Sequence, residues 1–137
     1  MDYACVRDIM PDTMVTVSEG DRLSTVEDIM RLGRVRHMPV VRAGTLVGVV
    51  SERDLLRASL SSQIDVKADM HRAFLHGVEI AKVMSAPAIV IDPAASVKQA
   101  ARKMADGKIG CLPVVDGDVL IGLITETDVL RYFAHHV

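Results

Sequence analysis

"GVVSERDLLR", Gly48 to Arg57, and "GLITETDVLR", Gly122 to Arg131, decide how this chain of 137 residues is read. Each is a short apolar run followed by a hydroxyl residue, two variable residues, an aspartate and two aliphatics. A hydroxyl three residues ahead of an acid, before an apolar run, is a helix start. The hydroxyl accepts the third helical amide and the carboxylate reaches back to the N-cap amide. Such a cap is worth about 1 kcal/mol. The last helix of each copy therefore starts at Ser51 or Thr125.

Working outward from this pair exposes a duplication. Laying Met10 on Met84 sets an offset of 74 that holds without a gap from Val6 to Arg57. Gly33 falls on Gly107, Pro39-Val40-Val41 on Pro113-Val114-Val115, and Leu46 and Gly48 on Leu120 and Gly122. Glu52, Asp54, Leu56 and Arg57 fall on Glu126, Asp128, Leu130 and Arg131. Two copies make a duplicated unit; a solenoid needs more. The organisation is a first repeat at 6–58, a connector at 59–79 and a second repeat at 80–133.

Each copy reads as strand, helix, strand, strand, helix. "MVTV" and "AIVI" are short β-branched runs after Pro-containing punctuation. Leu23, Val26 and Met30 recur at helical spacing, as do Val97, Ala100, Ala101 and Met104. Gly33 and Gly107 stand where a helix ends in a left-handed cap. "MPVV" and "LPVV" are strands, and the turns "RAGT" and "DGDV" close hairpins with "LVGVV" and "LIGLI". In the connector, "SLSSQ" is a break, and "ADMHRAFLHGVEI" suits a helix with Met70, Phe74 and Val78 on one stripe.

Composition narrows the function. Half the residues are hydrophobic and 3% aromatic, so the core is aliphatic, and the formal charge is −2. That balance argues against the basic face of a nucleic-acid binder. Cys5 and Cys111 make no C-x-x-C pair and no disulfide framework. The chain shows no secretory leader. No apolar run approaches the roughly 20 residues of a membrane span. The expectation is a cytoplasmic protein bound to no membrane.

The motifs "MVTV…RVRHMPVV…LVGVVSERD" and "AIVI…KIGCLPVV…LIGLITETD" resemble the CBS-domain family, named for cystathionine beta-synthase. The match covers nearly the whole chain outside the connector and the extreme termini. It implies an α/β fold of two tandem β-α-β-β-α CBS repeats, packed sheet to sheet as a pseudo-two-fold pair. It also implies two clefts between the repeats that take adenosine-containing ligands: AMP, ADP, ATP or S-adenosylmethionine. No cofactor is required.

Under this resemblance Asp54 and Asp128 acquire a second reading, as clamps on ribose hydroxyls. A carboxylate offers acceptors to both vicinal donors. Helix N-terminal amides add a site for phosphate. The first cleft would join Ser51 and Asp54 to Met84, Ala88, Ile89, Ile109 and Gly110. The second would join Thr125 and Asp128 to Met10, Val15 and Val35. The first repeat also carries Arg36, His37 and Arg53, where the second has Gly110, Cys111 and Thr127. Arginine binds phosphate bidentately and those residues do not. A phosphorylated nucleotide is therefore expected in the first cleft, and weaker binding or a less charged nucleoside in the second. The competing account has Arg36 and Arg53 solvated, or paired with Glu52 and nearby acids.

Other chemistry lacks a pattern. His71 and His76 are five apart, which points them to different faces of a helix, and no zinc-like spacing surrounds them. Neither a Ser/His/Asp order nor a phosphate-binding glycine loop occurs. The expected protein is a non-catalytic regulatory module acting in trans on a protein target. Family precedent favours a homodimer, with Leu55, Leu56, Val129 and Leu130 as candidate contacts. The alternative is a ligand-free scaffold or interaction subunit.

Overall fold

The computed structural model describes residues 3–60 and 68–136. They fold as two compact units, Val15–Pro87 and Met1–Met14 with Ala88–Val137. For brevity these are the Asp54 unit and the Asp128 unit.

The Asp54 unit comprises β1 (Val17–Ser18), α2 (Leu23–Gly33), β2 (His37–Arg42), β3 (Thr45–Ser51), α3 (Glu52–Leu60), α4 (Ala68–His76) and a 3-10 turn at Ile80–Lys82. The Asp128 unit opens with α1 (Val6–Ile9) and continues with α5 (Val97–Gly107), β4 (Cys111–Asp116), β5 (Val119–Thr125) and α6 (Glu126–His136). β1 runs parallel to β2, and β2 pairs antiparallel with β3, as β4 does with β5. Both hairpins slip register at the matched points Val40/Val41 and Val114/Val115. The first hairpin turns through Ala43 and Gly44 with φ of 49° and 82°. Two positive values mark the turn whose twist suits a tight hairpin.

The duplication extends to the cores. Val17, Leu23, Val26, Met38, Val40 and Val50 are buried in one unit, and their equivalents Ile91, Val97, Ala100, Leu112, Val114 and Ile124 in the other. The leading segments are exchanged between sequence repeats. Ile80 completes the Asp54 core, while its equivalent Val6 completes the Asp128 core. Matched backbone bonds hold them: Ile80 N–H to Asp21 O at 2.8 Å, and Val6 N–H to Ala95 O at 2.8 Å.

Several local expectations are corrected. The leading strand shrinks to Val17–Ser18 in one unit and to a single bridge, Ile91 to Val114, in the other. Burial explains this, since Val17 and Ile91 are 3% exposed while Val15 and Ile89 are 43% and 48% exposed. The left-handed caps fall on Arg34 and Lys108, one residue after the glycines. Beside Gly107, a Cβ would already meet Ile109 at 3.5 Å. Of the four leucines and valines named as candidate dimer contacts, Val129 is buried and Leu55 packs on its own core, leaving Leu56 and Leu130 exposed.

The connector helix α4 docks on α2 through charge as well as burial. Met70 and Phe74 of the expected stripe are exposed, and Leu75 is fully buried instead. Burying such a side chain is worth about 2 kcal/mol. Arg72 grips Asp28 through both guanidinium nitrogens at 2.7 Å and reaches Glu27 at 3.1 Å. His71 and His76, expected on different faces, both meet α2, at Glu27 and Ser24. Ser59 and Leu60 belong to α3, and the rest of the expected break lies outside the described residues.

The Arg72 hydrogen bond holds the Asp28 carboxyl below its ordinary value of 3.8. A depressed folded value stabilises above the unfolded one and is lost as pH falls through the folded one. Protection of α4 amides, followed by NMR hydrogen exchange, is thus expected to hold above pH 3.8 and drop below it. Arg72→Ala should lower that protection already at neutral pH and flatten its acid dependence. Unchanged protection in the variant would contradict the charge-based docking. Among the described residues, no helix is long and apolar enough to cross a membrane.

Candidate functional site

β3 runs directly into α3, so Ser51 is both the last strand residue and the residue ahead of the helix. Its N–H donates to Asp54 Oδ2 at 2.8 Å and its hydroxyl to the same oxygen at 3.0 Å, while Ser51 Oγ accepts the Asp54 amide at 3.1 Å. The cap expected from the spacing is therefore formed. At the other copy, Thr125 N–H and Oγ1 reach Asp128 Oδ2 at 2.8 and 3.0 Å, and the Asp128 amide reaches Thr125 Oγ1 at 3.4 Å.

In each case one carboxylate oxygen does all the capping. Among the described residues, Oδ1 of Asp54 and of Asp128 has no hydrogen-bond partner, and no buried side-chain oxygen lacks one. Oδ1 is thus not fully sealed from solvent, although Asp54 as a residue is only 8% exposed. A fixed carboxylate with one free oxygen can accept hydroxyl protons without rearranging.

The hairpin brings further groups to this helix start. His37 lies opposite Ser51, and the Glu52 amide donates to the Arg36 carbonyl at 2.8 Å. Arg36 is thereby pinned beside the N-terminus of α3. Its guanidinium stands 3.6 Å from Glu52, both side chains being largely exposed. Such exposed pairs contribute little, so the guanidinium is free to turn to a stronger anion. Arg53 is exposed and has no hydrogen bond or ion pair among the described residues.

The equivalent neighbourhood of Asp128 carries no cation at these positions. Cys111, buried, lies opposite Thr125, and the Glu126 amide donates to the Gly110 carbonyl at 2.9 Å. Thr127, exposed, takes the place of Arg53.

Two methionines of the proposed sites lie against strand glycines. Met84 Sδ is 2.9 Å from where a Cβ on Gly48 would stand, and Met10 Sδ is 2.7 Å from that of Gly122. Arg36, His37, Ser51, Arg53, Asp54 and Met84 thus belong to the Asp54 unit, with Val15 and Val35. Met10, Thr125 and Asp128 belong to the Asp128 unit, with Ala88, Ile89, Ile109 and Gly110. Sequence reasoning missed Ser85, whose backbone pairs with Val49 and holds the Met84 segment on β3. The glycine matched at Gly48 and Gly122 was the available signal.

Known proteins carry the same pattern. The CBS domain model matches residues 6–61 and 80–135. MJ1404 of Methanocaldococcus jannaschii is 30% identical over 133 residues, covering 94% of this chain and 32% of its own length. The chain thus spans about a third of that relative. Among solved structures, a Vibrio cholerae protein assigned to acetoin utilization (AcuB) is 33% identical with a TM-score of 0.79, covering 96% of this chain and 91% of the other. CBSX2, solved in complex with AMP, is 26% identical with a TM-score of 0.78, covering 97% of each chain.

Proposed function

The chain belongs to the CBS domain family, and from that premise we propose that it is a non-catalytic regulatory module binding an adenosine nucleotide of the AMP, ADP or ATP type. The Asp54 site is the main one. Asp54 Oδ1 takes the ribose hydroxyls, and Arg36 and Arg53 take the phosphate with the α3 N-terminus. His37 and Met84 complete this side. Thr125 and Asp128, with Met10, form a weaker site, or one suited to a nucleoside of less negative charge such as S-adenosylmethionine. The AMP complex of CBSX2 supports the ligand class.

The observation that carries this reading is the division of labour within one carboxylate, capping through Oδ2 and leaving Oδ1 without a hydrogen-bond partner at a helix start that also carries Arg53 and is bonded to the Arg36 carbonyl. Ligand binding would act in trans, in the cytoplasm, on a protein target, through the packing of a homodimer. A bound state must be differentially preferred by that partner for any signal to pass.

A thermal-melt panel with AMP, ADP, ATP and S-adenosylmethionine tests it. Nucleotide at 100 times its dissociation constant adds about 2.7 kcal/mol of stability. If millimolar AMP, ADP and ATP all leave the melting point unmoved, the caps are architecture and the ligand-free scaffold is the better account.

A further inference from the structure

We propose that the exposed face of α5, carrying Lys98, Arg102 and Ala105, is a docking surface for an acidic amphipathic helix of a partner protein. The argument starts from the duplication. α5 is the equivalent of α2, and both are helices of 11 residues. On α2 the face formed by Ser24, Glu27 and Asp28 is covered by α4, which supplies His76, His71 and Arg72 to those three residues. The matching positions on α5 are Lys98, Ala101 and Arg102, and Lys98 and Arg102 are exposed.

The charge on this face is inverted relative to its covered counterpart, and it is unfavourable to α5 itself. No acid stands in the first turn of α5 and no base in its last. Lys98 lies near the positive end of the helix dipole, where a cation is disfavoured. Lys98 and Arg102 are four residues apart, a like-charge pair that also destabilises. Asp106 sits near the negative end, which repeats the mismatch. The neighbouring Lys103 is occupied, donating to the Val90 carbonyl at 2.6 Å. Arg102 has no hydrogen bond or ion pair among the described residues, and Lys98 meets the Tyr3 ring at 5.7 Å from its centroid.

A helix bearing two adjacent acids, set toward the N-terminal half of α5 and away from Asp106, relieves the two conflicts that involve Lys98. Ala101 and Ala105 are small, which leaves room beside the two cations for an apolar side chain of the partner helix. The α4–α2 contact is thus the template, with the signs of charge exchanged. An acidic helix suits the site better than nucleic acid does, because the cations lie in helical register and the whole chain has a formal charge of −2.

The test uses the full chain and a stapled, labelled peptide of residues 68–79 carrying His71→Glu, Arg72→Glu and His76→Glu. Fluorescence anisotropy should show saturable binding that weakens with salt. The double variant Lys98→Glu/Arg102→Glu, whose melt should stay cooperative, is expected to weaken it at least tenfold. The unaltered 68–79 peptide should bind at least tenfold more weakly than the acidic one. Absence of saturable binding at millimolar peptide overturns the proposal, as does equal affinity for the double variant. Displacement of the peptide by a short duplex oligonucleotide at equal phosphate charge would overturn it in favour of a nucleic-acid surface.

Discussion

Asp54→Ala is expected to abolish the nucleotide-induced melting shift while costing the free protein about 1 kcal/mol through its lost cap. With wild-type protein and nucleotide at 100 times the dissociation constant, the shift corresponds to about 2.7 kcal/mol. The variant should show almost none of it. Asp128→Ala removes a cap of the same design and costs a similar amount, yet should keep most of the shift, because no arginine stands at the positions of Arg36 and Arg53. A second substitution separates the two duties of the carboxylate. Glutamate is the usual acid of a capping box, so Asp54→Glu should melt near wild type without ligand. Its extra methylene moves the free oxygen away from where the cap fixes Oδ1, so the nucleotide shift should still collapse. Differential scanning fluorimetry on the four proteins decides the matter. A full shift in Asp54→Glu, or a lost one in Asp128→Ala, rejects the assignment of the main site.

The asymmetry between the two sites was readable because duplication supplies its own control. Each position in one copy has a counterpart in the other, so Arg53 against Thr127 stands out without other sequences. The caps were readable for a different reason, since they depend on residues three apart and on nothing distant. The hairpins and second helices belong to the same class of local signal.

What escaped the reading depends on contacts between segments far apart in the chain. Periodicity marks Ile80 and Val6 as apolar but does not say which core receives them, and the leading segments are in fact exchanged between repeats. Spacing alone gives the connector helix a stripe of Met70, Phe74 and Val78, as in an isolated amphipathic helix. Its docking rests instead on the burial of Leu75 and on pairs with Glu27 and Asp28, which lie 44 or 45 residues away from their partners. β-branched content in the leading runs predicts longer strands than form, because only Val17 and Ile91 of these runs are buried. At the site, the exposure of Arg36 and its pinning to the start of α3 follow from the pairing of β2 with β3. No spacing rule contains that geometry.

The matched glycines predict the largest effect on folding. Gly48→Ala is expected to destabilise the chain by about 2–3 kcal/mol, as forced overpacking does. A Cβ there would stand 2.7 Å from the Ser85 carbonyl oxygen. That carbonyl cannot easily retreat, because it accepts the Val49 amide at 3.0 Å while the Ser85 amide donates to Val49 O at 2.8 Å. Relieving the clash means breaking the pair that holds the Met84 segment on β3. Gly122→Ala meets a softer obstacle, the sulfur of Met10 at 2.7 Å. Pro11 takes the position of Ser85 there, and with no N–H to donate it cannot make the same two-bond bridge. A methionine side chain can swing aside, so this variant should lose under about 1 kcal/mol. Urea unfolding of both variants measures the difference directly. Equal losses would mean that the Ser85 backbone yields as readily as a side chain, and that the Met84 segment is held to the strand far less firmly than its paired hydrogen bonds imply.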